Sequence, residues 1–264
     1  ELNMRYDIRA PEVEDVLLNP SLGLSYQYSS ETSGFSTRVS SAYKPANQFL
    51  MEVPFVLNLG ENSESIDVEA GIVPTLEYHQ VSSFAMSQDI LQEFVVWGEV
   101  IYDRPISRQV NQKSITQTRE DAVIWTATLE SRLRQTGFSS NVQGWLSYSQ
   151  LFGGEGRDRG EFASDQSIFE RRFQFQDAVQ VGLRGQPFRP KAGPLTASMS
   201  VLYDHGQRGG IFSAEITQFL KDGWKWSLSA DWVGKLQSQA PIENGFTGLY
   251  RANDRVSFGV GYVF

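Results

Sequence analysis

Val256-Ser257-Phe258-Gly259-Val260-Gly261-Tyr262-Val263-Phe264 is the stretch whose reading decides the fold. Val256, Phe258, Val260, Tyr262 and Phe264 alternate with Ser257, Gly259, Gly261 and Val263. A strand sends successive side chains to opposite faces, so one face here is large and apolar and the other is small, broken only by Val263. A terminal strand of a soluble domain is prone to fray. The closing strand of a membrane barrel instead shows apolar side chains to lipid and small or polar ones to the lumen. The rest of the chain tests which of these applies.

Composition leaves the barrel open. The 264 residues are 40% hydrophobic with 23 glycines, enough for one large β-domain or two small ones. No apolar run approaches the roughly 18 residues of a membrane helix, whereas barrel strands need only about 9–11 residues with alternate ones polar. Without cysteine there is no disulfide framework or thiolate site. His79 and His205 are the only histidines, so no metal and no cofactor is expected. A net charge of −8 argues against nucleic acid as a partner. Glu1-Leu2-Asn3-Met4 shows neither the basic region nor the apolar core of a signal peptide. On the barrel reading the signal has been removed.

Residues 1–20 stand apart as a periplasmic tail or a segment that plugs the lumen. They comprise a short strand before Pro11, one or two helical turns opened by Pro11, and the breaker Asn19-Pro20. From 21 to 264 period-2 segments recur between turn residues. They are 21–28, 35–43, 49–58, 66–79, 91–103, 122–134, 138–150, 173–184, 195–204, 211–220, 224–235 and the closing strand. These predict an all-β fold: an antiparallel transmembrane β-barrel of about twelve strands (10–14 by this reading), with both termini periplasmic. The rival fold, a soluble β-sandwich, alternates in the same way but must close its inward face on a single core.

Counting back from a periplasmic Phe264 leaves mostly short connections on one side and three long polar loops, 104–121, 151–172 and 236–254, on the other. That is the asymmetry of bacterial barrels. The same projection predicts two girdles of interface aromatics. Tyr28, Phe35, Tyr102, Tyr148, Tyr203, Phe212 and Trp232 fall at the outer interface. Tyr43, Tyr78, Phe138, Trp224, Trp226 and Phe264 fall at the periplasmic one. Asp177 has apolar-face parity and calls for a bulge or a strand that rises above the membrane. Pro54 and Pro74 predict weakened pairing between the third and fourth segments.

The closing strand, with Phe264 preceded at alternate positions by Tyr262, Val260 and Phe258, resembles the C-terminal strand of the Gram-negative outer-membrane β-barrel superfamily. The resemblance implies a Gram-negative outer-membrane location, with outer-membrane lipid and lipopolysaccharide as partners. It also implies recognition of the C-terminal strand by the barrel-insertion machinery. It reaches no single family and carries over no functional residues.

The pore-lining candidates are Arg38, Glu52, Asp67, Glu69, Glu77, Glu93, Glu99, Glu130, Arg132, Arg134, Arg184, Glu215, Lys225 and Asp231, with Lys235 beside them. They form either an ion-pair network that fills a narrow interior or a charged constriction. The carboxylates gather on the third to fifth segments, and Arg132, Arg134 and Arg184 on the sixth and eighth, which predicts a transverse field. The expected function is a porin-like channel for small hydrophilic solutes. The alternatives are a lipid- or lipopolysaccharide-modifying enzyme and a plugged structural or export-associated barrel. For an enzyme, His205 follows Asp204 and is expected near Ser213, and His79 follows Glu77 by two residues. Neither sits in a His-x-Ser arrangement like that of lipid A deacylases, so no catalytic residue is assigned. Gly153–Gly160 lacks the Lys-Ser/Thr ending of a phosphate loop and reads as a flexible charged outer loop.

Overall fold

The computed structural model describes residues 2–8, 10, 19–46, 49–59, 66–90, 93–106, 114–133, 142–159, 175–188, 191, 193–220, 223–234 and 254–262. These residues are all-β. The strands in chain order are β1 (Leu2–Ile8), β2 (Leu22–Ser30), β3 (Phe35–Pro45), β4 (Leu50–Leu59), β5 (Ile66–Thr75), β6 (Tyr78–Ile90), β7 (Phe94–Pro105) and β8 (Ser114–Arg119). They continue with β9 (Ala122–Leu133), β10 (Val142–Gly153), β11 (Gly156–Arg159), β12 (Asp177–Phe188), β13 (Leu195–Asp204), β14 (Gly209–Phe219), β15 (Trp224–Gly234) and β16 (Arg255–Tyr262).

Eleven strands form one antiparallel sheet in the order β16-β15-β14-β13-β12-β10-β9-β7-β6-β3-β2. Five more form a second sheet, β1-β5-β4-β8-β11, with β1 parallel to β5. Apart from the N-terminal β1, the second sheet is built from insertions. β4 and β5 interrupt the step from β3 to β6, β8 the step from β7 to β9, and β11 the step from β10 to β12. All of these leave the large sheet at the same end, so one end carries the long connections. The other carries short turns such as Ser30–Phe35, Ile90–Phe94 and Phe219–Trp224.

The segment 49–58 and most of 66–79 therefore lie outside the large sheet, and Tyr78–Ile90, read from sequence as mostly connection, is one of its strands. The large sheet has eleven strands rather than twelve. With an odd count, β2 and β16 run in the same direction, from the long-connection end to the short-turn end. No pairing joins β2 to β16 among the described residues; they are the two edges of the sheet. Leu2–Ile8 is an edge strand of the small sheet, and residues 11–18 lie outside the described residues.

Side-chain register gives the large sheet two unlike faces. Along adjacent strands, Tyr26, Val39, Phe84 and Val100 follow one another on one face, as do Leu129, Leu146, Val181 and Val201, and then Ile216, Leu228 and Phe258. Every exposed large apolar side chain of these strands lies on this face except Phe219, the last residue of β14. The opposite face is made of small and hydroxylated residues. It carries apolar residues toward its two ends: Ile101, Ile124, Leu151, Leu202, Ile211 and Val233 toward the long connections, and Val95, Trp97, Trp145 and Phe219 toward the short turns. Six apolar residues are fully buried among those described, Ala46, Leu50, Ala70, Ala122, Ala178 and Val233, and none is aromatic. The accessible surface is 17989 Å², against about 11,600 Å² expected for a compact protein of 29.7 kDa. Among the described residues there is no large apolar core; the large apolar side chains of the eleven-stranded sheet lie on one exposed face.

Asp177 is the first residue of β12, opposite Gln150 at the long-connection end, and Tyr148 donates its hydroxyl hydrogen to it. Its polar partner replaces the bulge that its parity called for; the irregularity in β12 lies at Gly185/Phe188 instead. The β4–β5 ladder does break at a proline. Glu52 pairs with Val73 and Phe55 with Ala70, while Pro54 lies opposite Ser114 of β8.

Candidate functional site: the polar wall

Period-2 geometry aligns the small residues of neighbouring strands, and their hydroxyls bond across the ladder. Ser36 meets Ser87 at 2.7 Å, Ser40 meets Ser83 at 2.8 Å, Thr126 meets Ser149 at 2.8 Å and Thr128 meets Ser147 at 2.7 Å. Charged side chains then reach over these short ones. Arg38 on β3 spans β6 to Glu99 on β7 at 3.8 Å, and Arg184 on β12 spans β10 to Glu130 on β9 at 3.5 Å while donating to Gln143 at 2.7 Å. Arg255 meets Asp231 between β16 and β15 at 2.6 Å. All three guanidiniums are more than half exposed, so these pairs contribute little stability. They neutralise the wall locally.

Arg38, Glu99, Glu130, Arg184, Glu215, Lys225 and Asp231 thus occupy polar-face positions of the large sheet, and Arg132 is in register with Gln143. Glu52, Asp67 and Glu69 belong to the small sheet, and Glu93 lies in the β6–β7 turn. Arg134, Lys235, Phe138 and Phe264 lie outside the described residues. Three described guanidiniums of the wall pair with carboxylates: Arg38 with Glu99, Arg184 with Glu130 and Arg255 with Asp231.

Glu77 and His79 end up at the long-connection end, in a buried polar cluster. His79 Nδ1 is 2.8 Å from Asp103 Oδ1, both side chains being more than nine-tenths buried. Arg119 Nη1, from β8, is 3.6 Å from Glu77 Oε2. Burying ionised groups is costly unless they are paired, and here the pairing links the small sheet to the start of β6. His79 Nε2 makes no hydrogen bond, so no hydroxyl among the described residues is placed to be activated by it. His205 lies in an exposed turn, and Ser213 stands farther along β14, in register with Ser200 and Asp231.

The aromatic residues also move. Because one strand fewer separates them from the C-terminus, Tyr28 and Phe35 lie at the short-turn end with Trp224, Trp226 and Tyr262. Tyr43 and Tyr78, stacked at 4.8 Å, lie at the long-connection end with Tyr102, Tyr148, Tyr203, Phe212 and Trp232. Two bands persist, with four members exchanged.

Sequence reading missed Trp97 and Trp145, which both stand on the polar face. Their signal was parity alone: each shares its face with Glu99 or Gln143 rather than with its apolar neighbours.

Comparison with protein-family models, curated proteins and solved structures finds no match to this chain.

Proposed function

We propose that this chain is a Gram-negative outer-membrane β-barrel that lets small hydrophilic solutes pass along its polar wall. One observation carries the reading: the large sheet is inside out relative to a soluble protein. Val181 (51% exposed), Leu228 (43%) and Phe258 (70%) belong to an apolar face that no described residue covers, while serines and ion pairs face the other way. In water such a face is an aggregation surface; in lipid it is the required exterior. The two aromatic bands and the gathering of long connections at one end point the same way.

A bilayer leaves no open sheet edge unsatisfied, so β2 and β16 pair with each other. As both strands run in the same direction, this seam is parallel, and Leu22, Leu24, Tyr26 and Tyr28 continue the stripe of Val256, Phe258, Val260 and Tyr262. Membrane lipid and lipopolysaccharide then surround the barrel, and the insertion machinery acts on its C-terminal strand.

Two measurements test this. The folded protein should show heat-modifiable mobility and conduct KCl in planar bilayers; a protein soluble without detergent sinks the membrane reading, and a folded but silent one sinks the channel. Ser25→Cys with Ser257→Cys or Gly259→Cys should cross-link within one molecule. A cross-link found only between two molecules would replace the closed barrel by an assembly of open sheets.

A further inference from the structure

All six tryptophans fall among the described residues, and they divide sharply. Trp125, Trp224, Trp226 and Trp232 stand on the apolar face, toward its ends, where indole suits a membrane interface. Trp97 and Trp145 stand on the polar face, where lipid cannot account for them. Both are half-buried and so remain partly accessible.

Each is set among hydrogen-bonding groups. Trp97 lines an open groove of about 200 Å³ with Gln27, Ser36, Arg38, Ala85, Met86 and Ser87. Trp145 lies over Gly182, where an added Cβ would come within 2.2 Å of the indole. The Arg184 guanidinium sits 5.9 Å from the Trp145 ring centroid while held by Gln143 and Glu130. Trp97 is opposite Thr128 on β9, and Trp145 is opposite Glu130 two residues on. Strand spacing and rise place their backbones roughly 12 Å apart on one wall.

We propose that this wall is a binding site for neutral saccharides, with Trp97 and Trp145 as two stacking platforms. The inference deepens the channel reading by naming its solute class, and it rests on that reading for the site's place in a lumen. Three features select the ligand. A flat ring offers an apolar face to the C–H face of a pyranose, with a polar edge beside it. The Gln27 amide and the Ser36 and Ser87 hydroxyls both donate and accept, as sugar hydroxyls require of a partner. Arg38 and Arg184 each have a carboxylate, Glu99 and Glu130, which cancels the attraction that free guanidiniums would offer to anions. A phosphate or carboxylate ligand would have to displace those pairs; an uncharged polyol bonds to them as they stand.

The test uses full-length protein folded in detergent and checked by heat-modifiable mobility. Intrinsic tryptophan fluorescence is titrated with maltotriose, cellotriose, chitotriose and sucrose, and with citrate as the anionic probe. At least one sugar should give a saturable change and citrate none. Trp97→Ala should weaken that sugar about tenfold, in line with the loss of one aromatic contact. Trp145→Phe, which keeps a ring over Gly182, should weaken it less and guards against a misfolded alanine variant. No saturable response to any sugar, an equal response to citrate, or unchanged affinity in both variants would overturn the inference. Planar-bilayer recordings separate the two proposals. KCl current that no sugar of the panel blocks removes the saccharide site and keeps the channel. Sugar binding without any current removes the channel and keeps the site.

Discussion

The body of the large sheet and its junction with the small sheet obey opposite rules. In the body, Val181, Leu228 and Phe258 lie exposed on the apolar face, and serines bond to one another on the polar face. At the junction, Leu50, Ala70 and Ala122 are buried and polar side chains are buried in pairs, as in a soluble core. The two regions meet at the long-connection end. On the proposed reading the small sheet stands in water outside the bilayer and the body stands in lipid.

The strongest way to break the comparison is at the junction. Arg119→Ala removes one partner of a buried ion pair and should cost about 3–5 kcal/mol, read as easier unfolding in urea and earlier protease cutting within the small sheet. Unchanged stability would mean that Arg119 is wetter than the 1% exposure of its side chain implies. Next is the body. Val181→Arg on the apolar face should cost about 2–4 kcal/mol in lipid vesicles, whereas Ser200→Arg on the opposite face should stay within about 1 kcal/mol, as surface changes usually do. Equal costs would show that both faces meet the same solvent. Gly182→Ala pushes a methyl group into the Trp145 ring and should cost about 1–3 kcal/mol, with an altered fluorescence spectrum reporting the displaced indole. The smallest effect belongs to Arg38→Ala, whose half-exposed pair should contribute no more than about 1 kcal/mol. Its signature is a shift of ion selectivity toward cations, because Glu99 loses its partner; unchanged selectivity would place Arg38 off the solute path.

Much of the body was legible because its signal is local. In Trp224–Gly234, Trp224, Trp226, Leu228, Ala230 and Trp232 alternate with polar residues, and the register with β16 follows the same alternation. Tyr78–Ile90 was missed because its apolar-face positions include Gln80, Ser82 and Gln88, and Ser82-Ser83 resembles turn chemistry. The small sheet was misassigned for the converse reason. Leu50–Leu59 alternates too, with Met51, Val53, Phe55 and Leu57 on one parity, and alternation shows that one face is apolar without saying which sheet the strand joins. Counting one strand too many then reversed the ends of β2 and β3, which carried Tyr28, Phe35, Tyr43 and Tyr78 to the wrong bands. Trp97 and Trp145 were overlooked because inward positions were sought among charges, although parity alone put both rings on the polar face.

By itself, then, the sequence determined the β class, the parity of most strands and the crowding of long loops at one end. Each depends on residues two apart or on runs of polar residues, and is written along the chain. Only the tertiary structure decided that eleven strands share the large sheet, that β2 and β16 run in the same direction, that carboxylates and guanidiniums pair, and that His79 meets Asp103 and Glu77 meets Arg119 in two buried pairs. These depend on contacts between distant segments, whose choice of partner is set by packing and register that no local pattern specifies.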